Sequence, residues 1–202
     1  MPHPRSPRLG GLSLLVGLVL YVHAGLCQLL PGPVRVATPG LDSLNRVRTC
    51  VLETAEGQTF VQEKTNNNDH PQIDEYFRAC GIKHPERMAA RTKPYCAAFV
   101  AWVFIQCKVP MGKGSWTAVA AFNNVRARHL KKGQTPLPAD VITYTIWSHA
   151  ELLKHWPPDP RVRIFVANGA NTTAGNNRQG VYANIPRPKS IVRHIVRFIP
   201  ET

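Results

Sequence analysis

A chain of 202 residues, 44% of them hydrophobic, can fill one core of ordinary domain size, which excludes a large multidomain machine. Its formal charge of +13, from 25 Lys and Arg against 12 Asp and Glu, favours polyanionic partners such as nucleic acid, an anionic membrane or an acidic cell-wall polymer. The basic residues are scattered, and only Lys131-Lys132 and the stretch 187–197 are clustered, which speaks for a solvated basic surface and against a nucleic-acid groove.

The first segment reads as a secretory signal peptide. Arg5 and Arg8 precede an apolar run over residues 12–22, and Val22-His23-Ala24 offers a cleavage site that would remove residues 1–24. The run is too short to span a bilayer comfortably, so no stable membrane insertion is expected after cleavage. Cys27 follows Leu26, where a lipidated cysteine requires a small residue, so a lipoprotein is not expected either. The protein is expected to be secreted or periplasmic. Residues 25–42, with Pro31, Gly32, Pro33, Pro39 and Gly40, read as an exposed leader, and residues 43–202 as the folded domain.

Within that domain, Asp42 or Ser43 can cap a helix whose apolar positions Leu44, Val47 and Val51 follow the helical period. Residues 65–69 form a polar loop. A second helix is predicted after Pro71, carrying Ile73, Tyr76 and Phe77 to a stop at Gly81. Pro94 then favours a helix start just ahead of Cys96, and residues 97–107 are so poor in polar side chains that this helix must be buried nearly all round. An Ala-rich helix is expected over 115–129. After Gly133 short β-favouring runs follow at 141–146, 149–155, 162–168, 180–185 and 191–199. Their short connections predict an antiparallel meander, and helices followed by strands predict an α+β domain with the Cys96 helix on one face of the sheet.

In an oxidising compartment the cysteines at 27, 50, 80, 96 and 107 can form disulfides, and five is an odd number, so at least one thiol stays free in a monomer. A bridge between Cys80 and Cys107 would join two helix ends and leave Cys96 unpaired. There is no C-x-x-C and no H-E-x-x-H, so no metal site has local support, and no cofactor is expected.

Cys96 sits where a nucleophile would be built. The unpaired N–H groups and positive dipole end of a helix's first turn stabilise a thiolate over a thiol, although a small buried residue would fit the same position. Such a nucleophile needs a base, and His149, at the start of a strand, is the candidate among the eight histidines. The third group should be a carboxylate or amide on a neighbouring strand. Asn168 and Asn171 both qualify, with turn formation as the alternative role for Asn171. Glu151 is a rival: it returns to the face of His149, but on the same strand, which would place it beside the ring instead of behind it.

Four segments, in order, resemble a known family. Pro94-Tyr95-Cys96-Ala97-Ala98-Phe99-Val100-Ala101-Trp102 resembles the nucleophile helix of the cysteine, histidine-dependent amidohydrolase/peptidase (CHAP) family. Glu63 with Asn67-Asn68, in the run Glu63-Lys64-Thr65-Asn66-Asn67-Asn68-Asp69, is similar to an E-x-x-x-N-N segment in one branch of it. Asp140-Val141-Ile142 followed by Ser148-His149 resembles the family's G-D-I-V and histidine strands, and Asn168-Gly169-Ala170-Asn171-Thr172 its E-G-N-T segment. Tyr95 stands where the family often has Trp, Ala139 and Glu151 stand where it has Gly, and Asn168 stands where it has Glu. The resemblance covers roughly residues 50–199. It implies a papain-like fold, in which N-terminal helices pack on a mostly antiparallel sheet of about five to six strands, and a catalytic set of Cys96, His149 and Asn168, whose amide can orient an imidazole through its oxygen. Tyr95, Asn171 and Glu151 would lie around the substrate or oxyanion. Asp140 is read as a turn or strand-start residue and Glu63 as structural.

The implied function is a secreted cysteine hydrolase, an amidase or endopeptidase, whose partner is peptidoglycan or its muropeptides, with no nucleic acid involved. A non-catalytic wall-peptide-binding domain and a thiol acyltransferase are the alternatives.

Overall fold

A computed structural model describes residues 39–175 and 177–201. The segment read as a signal peptide, its expected cleavage site and Cys27 lie outside the described residues. Four α-helices, α1 (Pro39–Glu56), α2 (Pro71–Ala79), α3 (Cys96–Gln106) and α4 (Val119–Asn124), precede five strands: β1 (Val141–Tyr144), β2 (Ala150–His155), β3 (Ile164–Thr172), β4 (Gly180–Pro188) and β5 (Val192–Val196). The domain is α+β and its sheet is antiparallel throughout, in the order β4-β3-β2-β1-β5.

Helix α3 is apolar as far as Ile105 and buried over most of its length, with Trp102 half-buried and only Ile105 and Gln106 exposed. It packs against α1, α2, β2 and β3, and Ala97, Ala98, Phe99, Val100, Ala101, Val103 and Phe104 are all closed to solvent. Tyr76 of α2 meets the rings of Tyr95, Phe99 and Trp102 at 6.1, 5.4 and 5.2 Å, locking α2 to the start and outer side of α3. Burial of these rings holds α3 in place against the sheet.

The chain-order expectations hold for the helices at Pro71 and Cys96 and need adjustment elsewhere. Helix α1 begins at Pro39, ahead of the Asp42 or Ser43 cap and inside the segment read as leader, because proline is well placed in a first helical turn. The Ala-rich stretch 115–129 forms only the short α4 and a 3-10 turn at Arg126–Arg128. Beyond these, His129 pairs with Val196 as an isolated bridge, so tertiary pairing overrides helix propensity there. Strand β3 runs on through Asn168 and Asn171, and β4 through Pro186 and Pro188, because each supplies the other's ladder.

Strands β4 and β5 are consecutive in the chain yet form opposite edges of the sheet, joined only by the 3-10 turn Lys189–Ile191. In a flat sheet these edges would stand about 19 Å apart. The chain from Pro188 to Val192 reaches at most about 14 Å. The sheet is therefore curled, and the second apolar cluster, Ile142, Tyr144, Leu153, Phe165 and Ala167, occupies the side away from α3.

The disulfide joins Cys50 to Cys107, with Cα atoms 5.9 Å apart, and not Cys80 to Cys107. Helix α1 lies along α3, which carries Cys50 to the end of that helix. Cys80 instead turns its Sγ toward the Ala98 carbonyl at 3.9 Å, and burial pushes its thiol up to about 11. Replacing Cys50 and Cys107 by alanine should lower stability by about 2–4 kcal/mol, read as a fall in denaturation midpoint. No change in midpoint would show that this bridge does not form in the folded protein.

At the opposite end of β1, Asp140 is wholly buried and ion-paired with Arg197 at 2.8 Å and Arg48 at 3.5 Å, and it accepts from the Leu137 amide at 2.9 Å. It anchors α1, the start of β1 and the C-terminal segment, in keeping with a strand-start residue.

Candidate active site

Helix α3 starts at Cys96 itself, with Tyr95 in the cap position, so the thiol stands in the first turn where backbone N–H groups lack intrahelical partners. Cys96 is free and only 2% exposed. Burial on its own would keep it protonated. The imidazole of His149, bonded to it and carrying positive charge, together with the Ala150 and Ala97 amides, overcomes that penalty and holds the thiol below its ordinary range.

His149 occupies the single residue between the bend 145–148 and β2, where its ring is within hydrogen-bond reach of Cys96. Its Nε2 lies 3.1 Å from Oε1 of Glu151. With Nε2 so engaged, Nδ1 is the nitrogen left for the thiol. Burial disfavours the imidazolium, but the Cys96 thiolate first and the Glu151 carboxylate next raise its pKa well above the ordinary value. Both shifts favour a thiolate–imidazolium pair, with a carboxylate beside the imidazole.

Glu151 is completely buried. Its carboxylate accepts from Arg187 Nη2 at 2.6 Å and Nε at 3.0 Å, and from the Tyr144 hydroxyl. Burial raises its pKa, yet the bonds from His149 and Arg187 bring it down to about 2. Arg187 Nη2 also donates to Thr172 Oγ1 at 2.9 Å, tying the arrangement to the end of β3. Across the ladder Glu151 faces Gly169, and a Cβ there would fall 2.5–2.8 Å from the Glu151 side chain. Glycine at 169 is what gives this carboxylate its room.

Asn168, expected as the orienting group, is placed elsewhere. It pairs with Leu152 across the ladder, beside a register shift, and is directed to the helix side. Its Nδ2 donates to Glu56 Oε1 at 3.1 Å and its Oδ1 accepts from the Asn184 amide at 3.0 Å, so it fastens the end of α1 to the β3–β4 hairpin. Glu151 shares the parity of His149, and because His149 stands one residue ahead of β2 its ring meets that carboxylate at 3.1 Å. Asn168→Ala should therefore cost about 1–3 kcal/mol of stability while the rate per active thiol stays close to wild type. A rate loss as large as that of His149→Ala with stability unchanged would return Asn168 to the catalytic set.

Tyr95 is wholly buried, so its side chain supports the site from behind and does not meet a ligand. It stacks on Tyr76, and burial followed by the nearby Glu63 charge raises its pKa. Glu63, also buried, accepts from the Asn68 amide at 2.7 Å, which matches a structural part. Asn171, at φ +58°, lines a cleft of about 430 Å³ with Trp147, Ser148 and His149.

Two site residues escaped the sequence reading, Tyr144 and Arg187. Arg187 was counted with the basic cluster, but it shares strand parity with the buried Ile185, and an arginine on a buried face calls for an acidic partner. Among the described residues no group of three or more His, Cys, Asp or Glu side chains could hold a metal ion, and no helix is long and apolar enough to cross a membrane.

Fold and site together define an α+β domain with a buried cysteine–histidine–glutamate cluster at a helix N-terminus. Comparison with known proteins finds no matching family model, no matching curated protein and no matching solved structure.

Proposed function

We propose that the chain is a secreted thiol hydrolase of papain-like fold that cleaves amide bonds in the peptide part of bacterial peptidoglycan. The observation that carries this reading is the paired state of Cys96 and His149, with Glu151 behind the imidazole, at the first turn of α3. A buried cysteine with only a packing role needs neither a charged imidazole nor a carboxylate held by Arg187. The resemblance of the segments around Cys96 and His149 to CHAP enzymes and the basic surface support the wall as substrate.

In this mechanism the Cys96 thiolate attacks the amide carbonyl, and the oxyanion is met by first-turn N–H groups of α3. His149 delivers its proton to the leaving amine as the C–N bond breaks, leaving a thioester on Cys96. Water then attacks the thioester, His149 takes its proton, and the carboxylate product departs with the thiolate restored. Glu151 holds the ring orientation and stabilises the imidazolium.

Because the thiol pKa is lowered and the imidazole pKa raised, the active ion pair exists between the two. The rate should rise as Cys96 ionises and fall only as His149 loses its proton, at a pH well above that of an ordinary histidine. A kcat/KM profile with a single rise near the ordinary imidazole value and no alkaline limb would contradict the ion pair.

The direct test combines purified protein, wall sacculi and a thiol-alkylating probe. New amine and carboxyl ends in the digest and selective labelling of Cys96 support the reading. Wall affinity without turnover or labelling would make the protein a binder, and products carrying a second amine in place of water would make it an acyltransferase.

A further inference from the structure

The bend between β1 and β2 carries two large apolar side chains into solvent, Ile146 at 61% and Trp147 at 42% exposure, immediately before His149. Ile146 does not line the cleft beside the base; Trp147 does. The Trp147 indole rests against Tyr144, with ring centroids 5.5 Å apart, and Tyr144 in turn holds Glu151. An exposed indole propped on the site's own framework is placed to meet a ligand.

The remaining walls narrow what that ligand is. Ser148, Asn171, Thr172, Thr173 and Gln179 present hydroxyls and amides, and among the described residues no acidic side chain lines the cleft. The guanidinium of Arg187, which also lines it, is engaged by Glu151 and Thr172, so its charge is already matched before the carboxylates of a stem peptide or a polyanion arrive. An apolar side chain would find one aromatic ring among polar walls. A neutral ring with hydroxyls on its rim and C–H bonds on its face satisfies both kinds of wall at once.

We infer that this cleft is a sugar subsite, in which a pyranose of the glycan stacks on Trp147 and is hydrogen-bonded by the hydroxyl and amide side chains opposite. This rests on the thiol-hydrolase reading above and adds to it a specificity: the amide presented to Cys96 adjoins a sugar. Trp147 sets that preference, and the peptide leaves on the side of the thiol away from the cleft.

The test uses the full-length chain carrying Cys96→Ala, so that binding is read without turnover. Calorimetric titration with muramyl dipeptide is compared with the same dipeptide lacking the sugar. The sugar-bearing ligand should bind at least about tenfold tighter. Trp147→Ala should abolish that difference, Trp147→Phe should preserve most of it, and Ile146→Ala should leave it unchanged. Thr173→Val, at an exposed position unconnected to the core, should reduce the difference several-fold and keeps the test open if Trp147→Ala fails to fold. Equal binding of the two ligands, no binding of either, a preference that survives Trp147→Ala, or an equal loss with Ile146→Ala would each overturn the subsite. Failure of the hydrolase reading appears separately, as wild-type protein that neither releases wall fragments nor labels at Cys96.

Discussion

Cys96→Ser should abolish amide cleavage, with kcat falling on the order of 10⁴-fold or more while the thermal midpoint stays within a few degrees of wild type. The reason lies in acidity. His149 can hold a thiol ionised in this pocket because the thiol is already weakly acidic, whereas a hydroxyl at the same place keeps its proton and the imidazole loses its own. His149→Ala should be nearly as severe, and the double variant little worse than either alone, because nucleophile and base act as a unit. Measured turnover of sacculi by Cys96→Ser protein would end the assignment, whatever His149 did.

Glu151→Gln should lower kcat/KM by about 10²- to 10⁴-fold, since an amide can hold the ring but not stabilise its charge. The alkaline limb of the pH profile should move down, because the carboxylate is one of the groups that keeps His149 protonated. Stability should fall as well, by about 3–5 kcal/mol, as Arg187 is left in a largely buried position without its anion. The sign with pH follows from the depressed carboxyl: its contribution is complete above the ordinary value of 4.5 and is lost as pH falls through about 2. Acid unfolding of wild type should show that dependence and Glu151→Gln should not. Gly169→Ala offers the same defect without a change of charge, since the added methyl must push the Glu151 side chain off its place. Full activity in Glu151→Gln protein, with only the stability loss, would reduce Glu151 to a structural partner of Arg187.

The placement of Cys96 and His149 was legible because its signals are local. Pro94 before a uniformly apolar run puts Cys96 at a helix start, and Ser148-His149 opens a β-favouring run. The carboxylate was visible as a rival and ranked below Asn168 for a sound reason on a flat strand, where a residue two positions along stands beside its neighbour. His149 lies one residue ahead of β2, outside its regular pleat, so the carboxylate two positions along meets the ring at 3.1 Å, a geometry that no local pattern records. The resemblance also pointed to position 168, where the related segment carries an acid. In this chain the carboxylate comes from position 151 on the adjacent strand, over the glycine at 169.

The sequence by itself determined the order of helices and strands, the antiparallel sheet, the largely buried helix at Cys96 and the positions of Cys96 and His149 at the starts of α3 and β2. Each of these depends on residues within about one turn or one strand length, where periodicity and capping act. Only the tertiary structure decided that Cys50 and not Cys80 meets Cys107, that Asn168 ties α1 to the hairpin, and that Glu151 is clamped by Arg187 and Tyr144. Apart from Tyr144 and Glu151, which sit on neighbouring strands, those pairings join residues far apart in the chain, and their partners are chosen by the packing of α1 along α3 and the pairing of the strands. A sequence lists the groups that can pair; which of them stand within 3 Å is set by the packed backbone.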